Sequence, residues 1–244
     1  MNKSKFGYKD INMEDKADKV NDVFSSVSSK YDLMNDIMSF GLHRLWKKQF
    51  LRLCNLDNKN KILDIACGTG DISLGIMKYN PNIKLTCLDP NNEMIEICKK
   101  KLINNGFINI NYKISSIEDY KSSPRIYDLI TVAFGFRNFT NHEKSLTNIY
   151  NSLQPGGQFL IMDFKKPRTK IYSNLFKFYT LKIIPKLGEK IVNDYQSYRY
   201  LGESIQTYLT PDAIKKLCLD AGFDQVRIVN LPEDVATIHI AQKS

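Results

Sequence analysis

The 244-residue chain has no uninterrupted apolar stretch approaching the ~20 residues that a bilayer-spanning helix needs, so no segment is expected to cross a membrane. Its five cysteines (Cys54, Cys67, Cys87, Cys98 and Cys218) form no C-x-x-C pair, which excludes a zinc ribbon or a disulfide framework on spacing and leaves reduced thiols as the reading. Histidine is equally sparse: His43, His142 and His239 stand far apart with no metal-ligand spacing, so no metal site is expected. The first 30 residues lack arginine and any apolar stretch and carry five acids, unlike either a secretory signal or a mitochondrial presequence. A bacterial cytoplasm is the simplest location, with the mitochondrial matrix side second. Arg-Gly-rich, RNP-like and N-P-P-Y motifs are also missing, which argues against a nucleic-acid partner despite a net charge of +9.

Most of that charge is concentrated. Residues 165–190 hold eight positive side chains and one negative, so 8 − 1 = +7 of the +9 lies there. Within the same segment Tyr172, Leu175, Phe176, Tyr179 and Ile183 recur at helical spacing, as in a helix lying on an anionic surface. Packing in the core with solvated lysines is the competing reading.

What the chain does have is Lys61-Ile-Leu-Asp-Ile-Ala-Cys-Gly-Thr-Gly-Asp71, a short apolar run ending in two glycines and an acid. Ile62, Leu63, Ile65 and Ala66 predict a strand buried on both faces, and Gly68 and Gly70 permit a tight turn with close ligand approach. A dinucleotide site would place a third glycine at Ser73 to receive a pyrophosphate on the helix N-terminus. Here Asp64 and Asp71 flank the turn instead, which suits a ligand with cationic groups, such as the ammonium and sulfonium of S-adenosylmethionine. The next strand, Ile83–Asp89, ends in an acid 19 residues past Gly70, where a carboxylate accepts both ribose hydroxyls.

Around this turn the alternation of strands and helices predicts an α/β fold, a doubly wound Rossmann-like sheet of seven strands. Strands are expected at 62–66, 83–89, 109–114, 127–134, 158–163, 224–231 and 235–242. The short connection through Pro232 makes the last strand antiparallel, as in methyltransferases. Residues 1–14 are polar and expected to be loose, and three amphipathic helices through Phe50 should cap the turn. Thr210 and Pro211 read as N-cap and first residue of a later helix. The division that follows is a helical cap at 1–59, a core at 60–164 and 209–244, and a helical insertion at 165–208 before the sixth strand.

Several blocks together resemble a known family. Val23-Phe-Ser-Ser-Val-Ser-Ser-Lys-Tyr-Asp-Leu-Met-Asn-Asp-Ile-Met-Ser-Phe-Gly-Leu-His-Arg-Leu-Trp-Lys47, Leu63–Asp71, Phe134-Gly-Phe-Arg-Asn138, Leu153-Gln-Pro-Gly-Gly157 and Ser197-Tyr-Arg-Tyr-Leu-Gly-Glu-Ser-Ile205 are similar to the ubiquinone/menaquinone biosynthesis C-methyltransferases. The resemblance implies methylation of a ring carbon in a polyprenyl benzoquinol, a demethylmenaquinol, or both. It places cofactor contacts at Thr69, Asp89, Ser116, Ile117 and Ala133, alongside Asp64, Gly68 and Gly70 of the turn. The family commonly carries Asn-Ala where Ser116-Ile117 stand and serine where Ala133 stands.

Carbon is a poor nucleophile, so a quinol hydroxyl must lose its proton, which calls for a base or oriented water beside a cation. Arg137 and Asn138, leaving the end of the fourth strand, are the candidates, with Tyr31 of the cap completing the group; the resemblance implies the same three. A surface salt bridge for Arg137 and a core phenol for Tyr31 are the bland alternatives. Peripheral contact with an anionic membrane through 165–190 is expected, and a homodimer stands open beside a monomer. An RNA methyltransferase is the rival function.

Overall fold

The computed structural model of the chain describes residues 3–244. Lys3–Phe6 (β1) and Lys9–Asn12 (β2) pair as an antiparallel hairpin, where a loose arm was expected. Its anchors are tertiary: Phe6 stacks on Tyr200 with ring centroids 4.2 Å apart, and Tyr8 N donates to Glu203 Oε2. Met1 and Asn2 of that stretch lie outside the described residues.

The cap helices follow as α1 (Met13–Val27), α2 (Tyr31–Ser39) and α3 (Leu42–Leu53). Trp46 and Phe50 of α3 are buried at i and i+4, as their spacing predicts. Trp46 Nε1 also donates to Glu233 Oε2 at 2.7 Å, tying the cap to the loop before the last strand.

The central sheet comprises β3 (Lys61–Ile65), β4 (Lys84–Asp89), β5 (Asn111–Ile114), β6 (Tyr127–Ala133), β7 (Leu153–Phe164), β8 (Gln225–Asn230) and β9 (Ala236–Gln242). Their order is β5-β4-β3-β6-β7-β9-β8, parallel from β5 to β7, with β9 antiparallel to both neighbours. That is the expected topology. Alternation places Ile62, Leu129 and Leu160 in the core on one face and Leu63, Ile130 and Phe159 in the core on the other. Each such fully buried side chain contributes about 1.5–3 kcal/mol. Helices α4 (Asp71–Tyr79), α5 (Asn92–Asn104) and α6 (His142–Ser152) connect the parallel strands. Strand β7 begins earlier than expected and absorbs the Pro155-Gly-Gly157 turn as an irregularity, with Gly156 at φ +77° and a register shift against β6.

The insertion forms α7 (Lys170–Phe178), a π turn at Tyr179–Ile183, α8 (Ile184–Val192) and α9 (Tyr195–Thr207). A Cβ at Gly202 would stand 2.3 Å from the Thr180 carbonyl oxygen, so α9 seats against the π turn because that residue is glycine. Helix α10 (Pro211–Asp220) then starts as expected, Thr210 Oγ1 accepting from Ala213 N at 3.2 Å. No helix among the described residues is long and apolar enough to cross a membrane.

Candidate active site

The carboxyl ends of β3, β4 and β6 open into one crevice. Two non-glycine residues there adopt left-handed backbone, Ala66 at φ +48° and Phe134 at φ +59°, a strain of order 1–3 kcal/mol each that clusters at functional sites. Gly68 at φ +54° and Gly70 at φ +85° complete the turn after β3, and nothing occupies the space where a Cβ on Gly68 would stand.

Asp89 ends β4 beneath this turn. Its Oδ2 accepts from Gly68 N and its Oδ1 from Asn91 N, both at 2.9 Å, leaving a lone pair on each oxygen for a diol. Burial pushes its pKa up to about 6, against the pull of the two amides. Asp64 sits deeper. Its carboxylate accepts from Ser73 Oγ at 2.6 Å and Thr131 Oγ1 at 2.8 Å, and burial raises its pKa to about 7. This acid therefore braces the turn from below, although it borders the cavity. Asp71 is claimed by two lysines, Lys47 at 2.5 Å and Lys101 at 2.7 Å. Burial opposes its ionisation, but the two ammoniums hold its carboxyl below the usual range. The idea that this acid meets a cationic ligand group is thus corrected: the protein supplies the cations. Thr69 gives its hydroxyl proton to Asp32 at 2.7 Å and accepts from Lys101 Nζ at 3.3 Å, which turns this hydroxyl toward the cap and α5.

Two cavities meet at this point. One runs over β4 to β6 and is bordered by Asp89, Asn91, Met94, Ser116, Ile117 and Ala133. Ser116 exchanges hydrogen bonds with Asp119, donating at 3.0 Å and accepting at 3.2 Å, and Ile117 is buried. The other is lined by aromatics from the cap, the core and the insertion, among them Trp46, Phe164, Phe176 and Tyr198. Phe24, Tyr31, Ala66, Gly68, Ala133 and Phe134 border both.

Arg137 lies at the base of the aromatic cavity, on the 3-10 turn Phe136–Asn138. It pairs with Asp163 of β7 at 3.0 Å, donates to the Phe134 carbonyl and to Ser204 Oγ at 3.4 Å, and covers the Phe164 ring at 5.5 Å. Burial works against this guanidinium, and the Asp163 carboxylate restores its charge. Asn138 borders the first cavity and its Oδ1 accepts from Tyr200 Oη at 3.0 Å. Burial raises the pKa of the Tyr31 phenol, while the nearby Arg137 charge opposes the shift. Tyr31 and Arg137 thus face one space, and Asn138 joins them through Tyr200.

Residues 12–243 match the model of the ubiE/COQ5 methyltransferase family. The chain belongs to that family. It is 38% identical to the ubiquinone/menaquinone biosynthesis C-methyltransferase UbiE of Hydrogenovibrio crunogenus, covering 96% of this chain and 93% of that one. The protein of the same name from Rickettsia felis is 41% identical, with both chains covered in full. Among solved structures, an Aquifex aeolicus SAM-dependent methyltransferase aligns with a TM-score of 0.60 at 17% identity, covering 81% of this chain and 89% of that one. A Haemonchus contortus phosphoethanolamine N-methyltransferase bound to S-adenosylhomocysteine aligns with a TM-score of 0.67 at 12% identity, covering 96% and 60%. The protein is a methyltransferase with S-adenosylmethionine as its cofactor.

The residues fit that cofactor: Asp89 offers paired acceptors, Gly68 an open backbone, and Ile117 and Met94 an apolar wall. Two features escaped the sequence reading. Asp163, the partner of Arg137, stands one residue before the end of β7 much as Asp89 ends β4, and that similar position was the available signal. Tyr198 reaches the aromatic cavity with a buried hydroxyl that has no hydrogen-bond partner among the described residues. Of the histidines, His43 borders the aromatic cavity with Nδ1 2.8 Å from Ser39 Oγ. His142 and His239 are bonded to the backbone carbonyls of Phe136 and Pro211.

Proposed function

We infer that the protein methylates a ring carbon of a polyprenyl quinol, a benzoquinol, a demethylmenaquinol or both; its UbiE relatives are named ubiquinone/menaquinone biosynthesis C-methyltransferases. The observation that supports this is the junction: an aromatic cavity walled by cap, core and insertion shares Phe24, Tyr31, Ala66, Gly68, Ala133 and Phe134 with the crevice under the glycine turn. When bound, the cofactor supplies an electrophilic methyl group on a sulfonium. Asp89 holds the ribose, Gly68, Thr69 and Gly70 receive the cofactor along their backbone, and Asp64 stiffens the turn through Ser73 and Thr131. Ser116 and Ile117 flank the adenine, and Ala133 borders the transfer point. Arg137 stabilises the quinolate that forms when the hydroxyl proton leaves, and Asn138 and Tyr31 orient the water that takes it. The aromatic walls exclude bulk water from the junction. In this reading residues 1–59, the core and residues 165–208 work as one unit, since each contributes to the cavity wall.

The insertion also serves as a contact with anionic lipid, through which a polyprenyl tail enters. Ile171, Leu175 and Phe178 project from α7 at 87%, 62% and 56% exposure, among the exposed Lys170, Lys177, Lys182 and Lys186. The stripe differs from the one read in the sequence: Phe176 and Tyr179 turn toward the aromatic cavity. Two of the eight cations are also withdrawn, because Lys165 and Arg168 pair with Asp234.

The test is incubation of the protein with labelled S-adenosylmethionine and each quinol type in detergent, beside an RNA pool, followed by mass spectrometry of the products. Label on a quinol ring carbon is expected. Label on RNA, or on neither quinol, overturns the assignment.

A further inference from the structure

Cys67, Cys87 and Cys98 stand on three different elements, the turn after β3, strand β4 and helix α5, yet their Sγ atoms all lie within 4.8 Å of one another. Cys54 and Cys218 stand outside this group. Three sulfurs bound to one ion by bonds of ~2.3 Å in a plane stand ~4 Å apart, so the thiols need only a small inward movement to share it. We propose that Cys67, Cys87 and Cys98 form a three-thiolate site for a thiophilic d10 cation directly beneath the glycine turn, and that its occupancy weakens cofactor binding.

The donor set selects the ion. Thiolates favour soft cations, and the nearest oxygens are committed elsewhere: Ser73 Oγ, 3.2 Å from Cys87 Sγ, already donates to Asp64. A hard cation such as Mg2+ therefore finds no shell here. Loading forms three sulfur–metal bonds, releases to solvent the proton of each sulfur that carries one, and changes no oxidation state. Entry runs from the cofactor side, since Cys67 borders the aromatic cavity while Cys87 and Cys98 are fully buried.

The coupling follows from contact. A Cβ on Gly70 would stand 2.6 Å from Cys98 Sγ, so the turn rests on this sulfur with no space between. Cys67 O accepts from Gly70 N at 2.9 Å, and Cys67 N donates to Leu88 O at 3.2 Å. An ion drawn in among the sulfurs displaces these backbone groups, and with them Gly68, whose amide is bonded to Asp89. The coupling rests on seating the cofactor over this turn, whereas the metal site is read independently of it.

The reduced full-length protein, kept with a non-thiol reductant, is titrated with Cd2+. Readouts are the thiolate–cadmium charge-transfer absorbance, proton release, and calorimetric titration with S-adenosylmethionine. One ion per chain is expected, with about two to three protons released and the cofactor Kd raised about fivefold or more. Cys98→Ala, checked for an unchanged circular dichroism spectrum, should bind Cd2+ about tenfold more weakly or worse, and Cys54→Ala should bind it as the parent does. If Cys98→Ala does not fold, Cys67→Ser at the cavity edge takes its place. Parental Cd2+ affinity in the folded variant overturns the site. A loaded site that leaves the cofactor Kd unchanged overturns the coupling, and if cofactor binding is also insensitive to Asp89→Ala, the seat over the turn is what fails.

Discussion

The two halves of the crevice are built from different materials. Under the glycine turn, recognition groups are backbone amides and one short acid, all within a few residues of a strand end. Across the junction, the acceptor cavity is made of long aromatic side chains drawn from Phe24, Trp46, Phe134, Phe164, Phe176 and Tyr198, which span most of the chain. A sheet places its strand ends with little freedom, so the first half can be specified by a few adjacent residues. The second half depends on where three helical segments settle, and its specificity can change without disturbing the first.

The sharpest way to break this division is Arg137, which lines the aromatic cavity and bonds the carbonyl of Phe134, a residue bordering both halves. Arg137→Ala leaves the buried Asp163 unpaired and should cost about 3–5 kcal/mol of stability, measured as a shift of the denaturant midpoint. Arg137→Gln with Asp163→Asn should recover much of that stability while turnover stays low. Recovery of turnover along with stability would show the arginine to be a structural group and not a catalytic one.

Next in size is the lipid contact on the acceptor side. Replacing Lys177, Lys182 and Lys186 with glutamate removes about 1 kcal/mol of attraction per lysine near an anionic surface, before counting repulsion. Sedimentation with anionic vesicles should vanish, and activity on a short-tailed soluble quinol should survive. Sedimentation equal to the parent at low salt places the contact elsewhere.

On the cofactor side, Asp89→Ala should weaken S-adenosylmethionine binding by about 1.5–3 kcal/mol in calorimetry, with quinol affinity unchanged. An unaltered Kd in a folded variant moves the ribose away from this acid. The same residue gives a pH signature. Its folded pKa of about 6 exceeds the ~3.9 of an unfolded aspartate, so the folded chain keeps this proton between those values. Its contribution therefore favours the apo fold below that window and is lost as pH rises through about 6. Cofactor binding runs the other way, because the ribose needs the carboxylate. Affinity should fall by about tenfold per pH unit below the folded pKa, and Asp89→Asn should flatten that dependence.

The smallest expected effect is Tyr198→Phe. Removing a hydroxyl that has no partner among the described residues should leave stability within about 0.5 kcal/mol and raise the quinol KM by a few-fold, with cofactor Kd unchanged. A large loss of stability would mean that the hydroxyl is bonded in solution.

The same contrast explains what the sequence revealed. Short, near-continuous apolar runs and Gly68, Gly70 and Asp89 are local signals, so the sheet, its reversed last strand and the turn were legible. The pairing of Asp71 with Lys47 and Lys101 was not, because those lysines come from the cap and from α5. The bracing of Asp64 was hidden for a related reason: Thr131, which bonds it, stands on a neighbouring strand 67 residues away. Cys67, Cys87 and Cys98 showed no ligand spacing, since parallel strands and a crossover helix unite residues that are far apart in the chain. The hairpin at the start was missed because polar residues 3–12 pair only once α9 supplies Tyr200 and Glu203.

That hairpin constrains the order in which the molecule can be completed during synthesis. Tyr8 and Glu203 are 195 residues apart, so the hairpin leaves a ribosome well before α9 and can settle only once α9 has followed it. The α/β core from β3 to β7 holds its own parallel pairings and can consolidate in the meantime. A nascent chain therefore owns a cofactor crevice before it owns a closed acceptor cavity, and the methyl donor has a place to dwell on a molecule that cannot yet use it.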